Sequence, residues 1–299
     1  MRDGLLLIDK PAGCTSHDVV QRTRALLGQQ KVGHCGTLDP TATGLLLLTL
    51  GKATRLTRFL IRAPKVYEGQ IRLGVETDTY DAAGTIVAER PCAGLDREAV
   101  GLAMSAFVGN CDHLTPPYSA RKVGGVKSYE LARRGEDVPE ARKPVTIYEY
   151  AMTSDLRDDG TFTFRLACSS GTYARGLAHE LGSRLSCGAH LAALRRLRVG
   201  GFELANAVDL DTLARRPLDE LPAWIPFDRI VLPFEEVEVD AQQEQRMANG
   251  QTALVRGIES AEGDWIKVTT RRGEFLAVAS IVEQIGKDLG VLQPRIVFK

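Results

Sequence analysis

The chain has 299 residues, 44% of them hydrophobic and 25% charged, which is the ordinary range of a folded globular protein and excludes disordered, collagenous and coiled-coil classes. No apolar run reaches the roughly 20 residues that a membrane-spanning helix needs. The 38 basic and 38 acidic residues cancel, but unevenly: residues 203–264 hold 14 Asp and Glu against 5 Arg and no Lys, so this segment of net charge minus nine is balanced by a body of plus nine, a segregation suited to a body that meets a polyanion.

Met1 to Lys10 carries two basic and two acidic residues rather than a basic leader, so an untargeted soluble protein of the cytoplasm is expected. Residues 5–8 (LLLI), closed by Asp9, Lys10 and Pro11, predict a buried strand stopped by a residue that cannot donate to a ladder. Ser16 reads as the N-cap of a helix in which Val19, Val20, Thr23, Leu26 and Leu27 recur at helical spacing up to Gly28. Residues 45–50, between Gly44 and Gly51, predict a central strand, and residues 66–73 another. Residues 96–108 predict a helix capped by Asp96 and stopped by Gly109.

Residues 115–142 lack a strong period, open with Pro116-Pro117 and contain Gly124-Gly125, so they predict a long loop or a small inserted lobe. Residues 145–152 and 161–168 predict strands paired across the Asp158-Asp159-Gly160 turn, and residues 173–185 a helix with Leu177, Leu181 and Leu185 on one face. Pro217, Pro222, Pro226 and Pro233 mark a boundary near residue 230. Beyond it, residues 241–249 read as a helix and residues 265–269 and 275–281 as strands, which suits a small β domain of about 65 residues.

The six cysteines (Cys14, Cys35, Cys92, Cys111, Cys168, Cys187) form no C-x-x-C pair and read as reduced thiols. Residues 44–54 resemble a phosphate loop only at Gly51-Lys52; their LLLLTL is apolar where exposed amides would be needed. There is no H-E-x-x-H, G-x-S-x-G or G-x-G-x-x-G, and the five histidines lack metal-ligand spacing. No metal, nucleotide or organic cofactor is therefore expected. In GHCGTLDP (residues 33–40), two glycines and a proline surround a histidine and an acid between a helix and a buried strand. That pattern suits a shaped loop presenting a carboxylate, although an Asp before Pro also serves as a plain turn former.

Six segments carry a resemblance to the TruB family of tRNA pseudouridine synthases: GLLLIDKP (4–11), GHCGTLDPTATGLL (33–46), TDTYDAAG (77–84), PPYSARKVGGVKSYELARRG (116–135), SSGTYAR (169–175) and CGAHLAALRRL (187–197). Each is moderately specific, and their order along the chain makes the likeness strong. The resemblance implies isomerisation of uridine 55 to pseudouridine in the T arm of tRNA, without cofactor or metal. By motif position, Asp39 is the implied catalytic aspartate and Arg175 the arginine that pairs with it, and an opposite charge that close would hold the Asp39 carboxyl below its ordinary range. The carboxylate could attack the base, attack the ribose or assist removal of a ribose proton.

Tyr67 is implied to stack on the target base, His34 to fill the space vacated when that base flips, and Leu194 to lie under the flipped base. Asp81 and Tyr173 fall in matched motifs near the site. Read on their own, Tyr67 also fits a half-buried strand, Asp81 a capped turn, and Leu194, at its spacing from Leu191 and Leu197, a simple core position. Residues 115–143 would be the insertion that folds over the RNA. From Pro116 to Lys143 they carry seven Lys and Arg, Lys122 and Lys127 among them, against four acids, interleaved with Tyr118 and Tyr129. Arg195-Arg196-Leu197-Arg198 is a second basic patch or a solvated helix end, and Lys267, Arg271, Arg272 and Lys287 could form a smaller basic face.

The expected architecture is a mixed α/β (α+β) pseudouridine synthase catalytic fold, with a largely antiparallel sheet, over residues 1–230. A small PUA-like β domain would follow over residues 231–299. The expected partner is the T-arm stem-loop of tRNA, met by a monomer without a membrane. The rival readings are a guide-RNA-dependent relative and a non-catalytic RNA chaperone.

Overall fold

The structure, a computed structural model, describes residues 1–92, 94–118, 121–128, 131, 134, 136, 138–286 and 288–298, without the side chains of Lys122, Val123 and Lys127. Its strands, in chain order, are β1 (Gly4–Lys10), β2 (Val32–His34), β3 (Thr43–Leu50), β4 (Lys65–Leu73), β5 (Val75–Thr77), β6 (Ile86–Glu89), β7 (Gly109–Leu114), β8 (Lys122–Val123), β9 (Val126–Lys127), β10 (Arg142–Met152), β11 (Thr161–Cys168), β12 (Ala189–Val199), β13 (Phe202–Glu203) and β14 (Trp224–Pro226). A C-terminal group follows: β15 (Glu236–Val239), β16 (Ala253–Arg256), β17 (Trp265–Thr270), β18 (Phe275–Ile285) and β19 (Leu289–Val297). The helices are α1 (Ser16–Leu27), α2 (Thr57–Leu60), α3 (Arg97–Ser105), α4 (Ala174–Arg184), α5 (Leu210–Arg215) and α6 (Ala241–Ala248).

Runs of successive rather than alternating apolar residues form strands covered on both faces, because polar positions are then missing on either side. Leu5 to Ile8 of β1 and Leu45 to Leu48 of β3 are accordingly at most 2% exposed. The large sheet has the order β14-β1-β3-β12-β4-β11-β10-β7, with β2 paired to β3 and β13 to β12. Its described pairings are antiparallel except β3 with β12, which meet at Thr43 and Gly44 opposite Arg195 and Arg196. Gly44, at φ 98°, is required there, since a Cβ would lie 2.4 Å from the Arg196 carbonyl oxygen. The fold is therefore mixed α/β with a large, mostly antiparallel sheet and a C-terminal β unit, as the sequence predicts.

Three local expectations change. Ser16 is not the cap of α1: Thr15 takes that place in a capping box with Asp18, and Ser16 is turned inward and buried. Helix α3 ends at Ser105 rather than at residue 108, because the i to i+3 bonds Phe107 N–H to Met104 O and Val108 N–H to Ser105 O tighten its end while Phe107 turns into the core. The arginine run after Ala193 is strand and not the end of a helix. Flanked by β4 and β3, β12 pairs with β4 through register shifts at Leu191/Ala193 and Arg196/Arg198, and this tertiary pairing overrides a spacing that also fits a helix.

The inserted segment contains the β8–β9 hairpin and is closed at its root by Thr115 N–H donating to Ala141 O at 2.8 Å. The C-terminal sheet, in the order β15-β17-β18-β19-β16, has its own core around Val239, Ile266, Val268 and Met247. From its other face, Phe275, Val278, Ile296 and Phe298 enter the core that holds β1, β3 and α1. Phe227 stacks at 4.9 Å on Phe275 and meets Phe298 edge-on at 4.7 Å, and Phe59 meets Trp265 edge-on at 5.1 Å. Of the residues expected to form a basic face on this unit, Lys267 is buried on Glu236, Arg272 pairs with Glu244 and Glu274, and Arg271 is exposed; Lys287 lies outside the described residues. Cutting the chain after Arg229 uncovers Phe59 and Phe227, each worth about 1.5–3 kcal/mol of burial. Calorimetry should find the shortened chain destabilised by about 3–6 kcal/mol or without a cooperative melt, and an unchanged Tm would contradict the shared core.

Candidate active site

Asp39 sits in the loop between β2 and β3, and contacts from distant parts of the chain hold that loop. Ser16 Oγ donates to Leu38 O at 3.1 Å and accepts from Leu38 N–H at 2.8 Å. Lys10, fully buried at the end of β1, donates from Nζ to the carbonyls of Pro11 (2.8 Å), Cys14 (2.7 Å) and Pro40 (3.3 Å). Burial pulls the Lys10 ammonium below its ordinary pKa, against the opposing pull of Cys14 and Asp39. Arg196, only 1% exposed, donates from Nε to Leu45 O (2.7 Å) and from Nη2 to Gly36 O (3.1 Å). A buried cation without a counter-charge is costly, so each of these two spends its donors on backbone carbonyls and ties the loop down.

The ion pair at the centre joins Arg175 Nε to Asp39 Oδ2 at 3.2 Å. Arg175 is the second residue of α4, where the helix dipole disfavours a cation. Its partners compensate: beyond Asp39, Nη1 donates to Thr79 O (3.2 Å) and Nη2 to Tyr118 O (2.6 Å). The pair does not lower the Asp39 pKa as the sequence reading expected. Burial raises it, Arg175 opposes, and the nearby carboxylate of Asp81 adds to the rise, with Lys10 opposing more weakly. The Asp39 side chain still keeps 40% of its surface exposed, against 7% for Arg175, so the carboxylate is reachable while its partner is not.

Register brings Tyr67 to the same place, since in β4 it stands opposite Leu166 of β11 and Arg196 of β12. Its ring is buried in one cluster with Leu38 and Ala42 from the Asp39 loop, and Leu194 packs against that cluster. Burial pushes the Tyr67 phenol up, and the neighbouring Arg196 guanidinium resists this. Asp81 is fixed within its own turn, its Oδ1 accepting from Thr79 Oγ1 (2.8 Å) and Ala83 N–H (3.0 Å). His34 closes β2; its Nδ1 has no hydrogen-bond partner among the described residues, and burial, with Arg196 and His17, lowers its pKa.

Tyr173 is the N-cap residue of α4, its ring centre 4.5 Å from Lys143 Nζ and 6.0 Å from Arg175 Cζ. Lys122 and Lys127 pair through their backbones in the β8–β9 hairpin, while their side chains, like the whole of Tyr129 and Arg133, lie outside the described residues. The second basic patch is not presented as one, because Arg195 pairs with Asp9 at 2.6 Å and Arg196 is buried. An open cavity of about 870 Å³ between residues 72–75, 89–92, 95–97 and 155–160 holds none of the site residues. Among the described residues, no group of three or more His, Cys, Asp or Glu is placed to hold a metal ion, and no helix is long and apolar enough to cross a membrane.

Sequence reasoning missed Lys10, Ser16 and Arg196. A lone lysine ending an apolar strand was a usable signal, since such a charge has to be answered by polar groups. A buried arginine inside a basic run carried none.

The chain is similar to known proteins over nearly its whole length. Residues 24–174 match the family described as TruB family pseudouridylate synthase (N terminal domain), and residues 175–237 the tRNA pseudouridylate synthase B C-terminal domain. The latter covers α4, β12 and α5 and lies almost wholly before the C-terminal sheet. The chain is 40% identical over 297 residues to tRNA pseudouridine synthase B of Ralstonia pickettii (strain 12J), covering 98% of this chain and 93% of that protein. To its namesake from Solibacter usitatus (strain Ellin6076) it is 40% identical over 283 residues, covering 94% and 96%. A crystal structure of a Cbf5-Nop10-Gar1 complex superposes with TM-score 0.77 at 23% identity over 100% of this chain and 85% of that one. An H/ACA RNP bound to a substrate RNA containing 2'-deoxyuridine gives 0.73 at 23% identity over 99% and 85%. These two likenesses concern the fold.

Two measurements test the site independently of activity. Lys10→Met takes the ammonium away from three carbonyls, of which Pro40 O keeps the Gly13 N–H, and should destabilise the chain by about 2–4 kcal/mol in urea unfolding; a change below about 0.5 kcal/mol would mean that the ammonium does not hold the loop. An NMR titration should place the Asp39 midpoint above that of an ordinary aspartate. Arg175→Met should move it further up and Asp81→Asn down. Because the folded chain binds this proton more tightly than the unfolded chain, the Asp39 contribution to stability is present at low pH and is lost as pH rises from the ordinary value through the raised one.

Proposed function

The chain belongs to the TruB family of tRNA pseudouridine synthases, and on that premise we propose that it converts uridine 55 in the T arm of tRNA to pseudouridine. The observation that carries the reading is a reachable Asp39 carboxylate held 3.2 Å from a buried Arg175. Such a pairing aims the carboxylate and keeps one oxygen open to a substrate. The enzyme is an isomerase, so atoms are conserved: the N1–C1′ bond of the nucleotide breaks, the base turns in place, C5–C1′ forms, and the proton lost from C5 is matched by one gained at N1. Asp39 acts at the centre that becomes electron-poor as the glycosidic bond breaks, whether by attack or by assisting proton removal.

A uridine in a folded loop has to leave its stack first, at a cost of a few kcal/mol. Tyr67 and Leu194 offer the replacement surface for the flipped base, and His34 fills the space it leaves. Asp81 borders the pair that reacts. Tyr173 and the insertion, with Lys122 and Lys127, hold the RNA backbone. The enzyme then works as a monomer in the cytoplasm on the T-arm stem-loop.

The test is incubation of the protein with an unmodified T-arm stem-loop, followed by chemical mapping of pseudouridine, which should appear at the position of uridine 55. Asp39→Asn keeps the volume of the side chain and removes the charge, so turnover should vanish while stem-loop Kd stays within about threefold. Arg175→Lys should lower the single-turnover rate by about 100-fold, since a point charge on a flexible stem does not reproduce a planar fork shared by three acceptors. Substantial turnover by Asp39→Asn would overturn the assignment.

A further inference from the structure

The insertion leaves the sheet at Leu114, the last residue of β7, and returns at Arg142, the first of β10. Glu180, on α4, stands at that root with both oxygens in use. Oε1 accepts from Arg142 Nη1 at 2.9 Å, while Oε2 accepts from His113 Nδ1 at 3.1 Å and from Leu114 N–H at 3.4 Å. One carboxylate therefore ties both ends of the insertion to the helix. Burial alone would raise its pKa, yet the bonds from His113, Leu114 and Arg142 hold it below the ordinary range, so it stands there as a charged and satisfied group.

His113, 1% exposed, extends the link. Its Nε2 accepts the N–H of Tyr173 at 3.1 Å, and a donor at the start of a helix has no partner within the helix. With Nε2 accepting, the ring proton is on Nδ1 and points at Glu180. Gly176 makes the approach of α4 to β7 possible, because a Cβ there would stand 2.9 Å from both His113 Cε1 and Leu114 O. Two residues after Tyr173 comes Arg175, whose Nη2 reaches the Tyr118 carbonyl inside the insertion. The root of the insertion and the first turn of α4 are thus joined twice.

We propose that Glu180, acting through His113 and Arg142, is a positioning residue for the Asp39–Arg175 pair, locking the root of the insertion to the first turn of α4 so that bound RNA and the Arg175 guanidinium keep one register. The inference rests on the function proposed above, in which the insertion holds RNA; the first of its two tests does not. A role in stability alone would lower Tm and leave the rate of the folded protein unchanged.

The first test is amide hydrogen exchange on the full chain. In Glu180→Ala and His113→Leu the amides of Leu114, Thr115 and Tyr173 should exchange about tenfold or more faster, with β1 and the C-terminal sheet unchanged. His113→Gln, whose carboxamide can accept from Tyr173 and donate to Glu180, should restore protection. The second test is single turnover on the T-arm stem-loop well below the melting temperature. Glu180→Ala and His113→Leu should be slowed about 10- to 100-fold with Kd within about threefold, and His113→Gln should stay within about threefold of the natural chain.

Unchanged exchange at Tyr173, a rate loss that disappears on cooling, or His113→Gln failing as badly as His113→Leu would each overturn the proposal. Should Glu180→Ala not fold, the comparison of Gln with Leu at position 113 decides it. A natural chain inactive on the stem-loop would instead refute the proposed function, and the exchange result would then decide this inference by itself.

Discussion

The Arg175 guanidinium is buried and meets three separate stretches of chain: it forms an ion pair with the Asp39 carboxylate and donates hydrogen bonds to the Thr79 and Tyr118 carbonyls. The pair with Asp39 adds little as a source of stability, because a carboxylate that keeps 40% of its surface in water is screened by it. Its consequence is geometric. A planar fork engaged on several sides leaves the carboxylate few orientations, and that is what a reaction centred on one oxygen requires. The loop after β2, the turn at residues 79–81 and the insertion can hold these places only together.

Beneath the site, two further cations follow the same rule. Lys10 and Arg196 are buried without ion pairs among the described residues and answer their own desolvation with backbone carbonyls from the loops beside Asp39. Each therefore turns a local cost into a constraint on the loop. The positive charge of Lys10 also bears on Asp39, but burial of the carboxyl and the proximity of Asp81 outweigh both Lys10 and Arg175 in setting the direction of its pKa.

The C-terminal sheet belongs to the same packing problem. Its inner aromatic residues complete the core beneath β1 and β3, the second of which follows the Asp39 loop, so a unit remote from that loop helps to hold it. On the opposite flank, the insertion is anchored at its root by a carboxylate on the helix that bears Arg175. The insertion and the Asp39–Arg175 pair are in this way held by connected parts of one framework.

Much of this was legible in the amino-acid order. Unbroken apolar runs marked β1 and β3 as buried strands, a turn between two strand-like stretches marked β10 and β11, helical spacing marked α4, and six ordered motifs pointed to the family and, by position, to Asp39 and Arg175. These are local or serial properties, and a one-dimensional pattern can hold them. The inward turn of Ser16, the burial of Arg196 inside a basic run, the pairing of Lys267 and the upward direction of the Asp39 pKa could not be read there. Each depends on which distant segments arrive beside a residue: whether an arginine meets water or a carbonyl, and how the opposing influences of positions 10, 39, 81 and 175 add, are decided by distance and desolvation. Sequence by itself therefore determined the elements, the fold class and the family, while only the tertiary structure decided the exposure of the candidate site residues, the direction in which their pKa values move and what holds them in place, because desolvation exists only once separate stretches of chain have packed together.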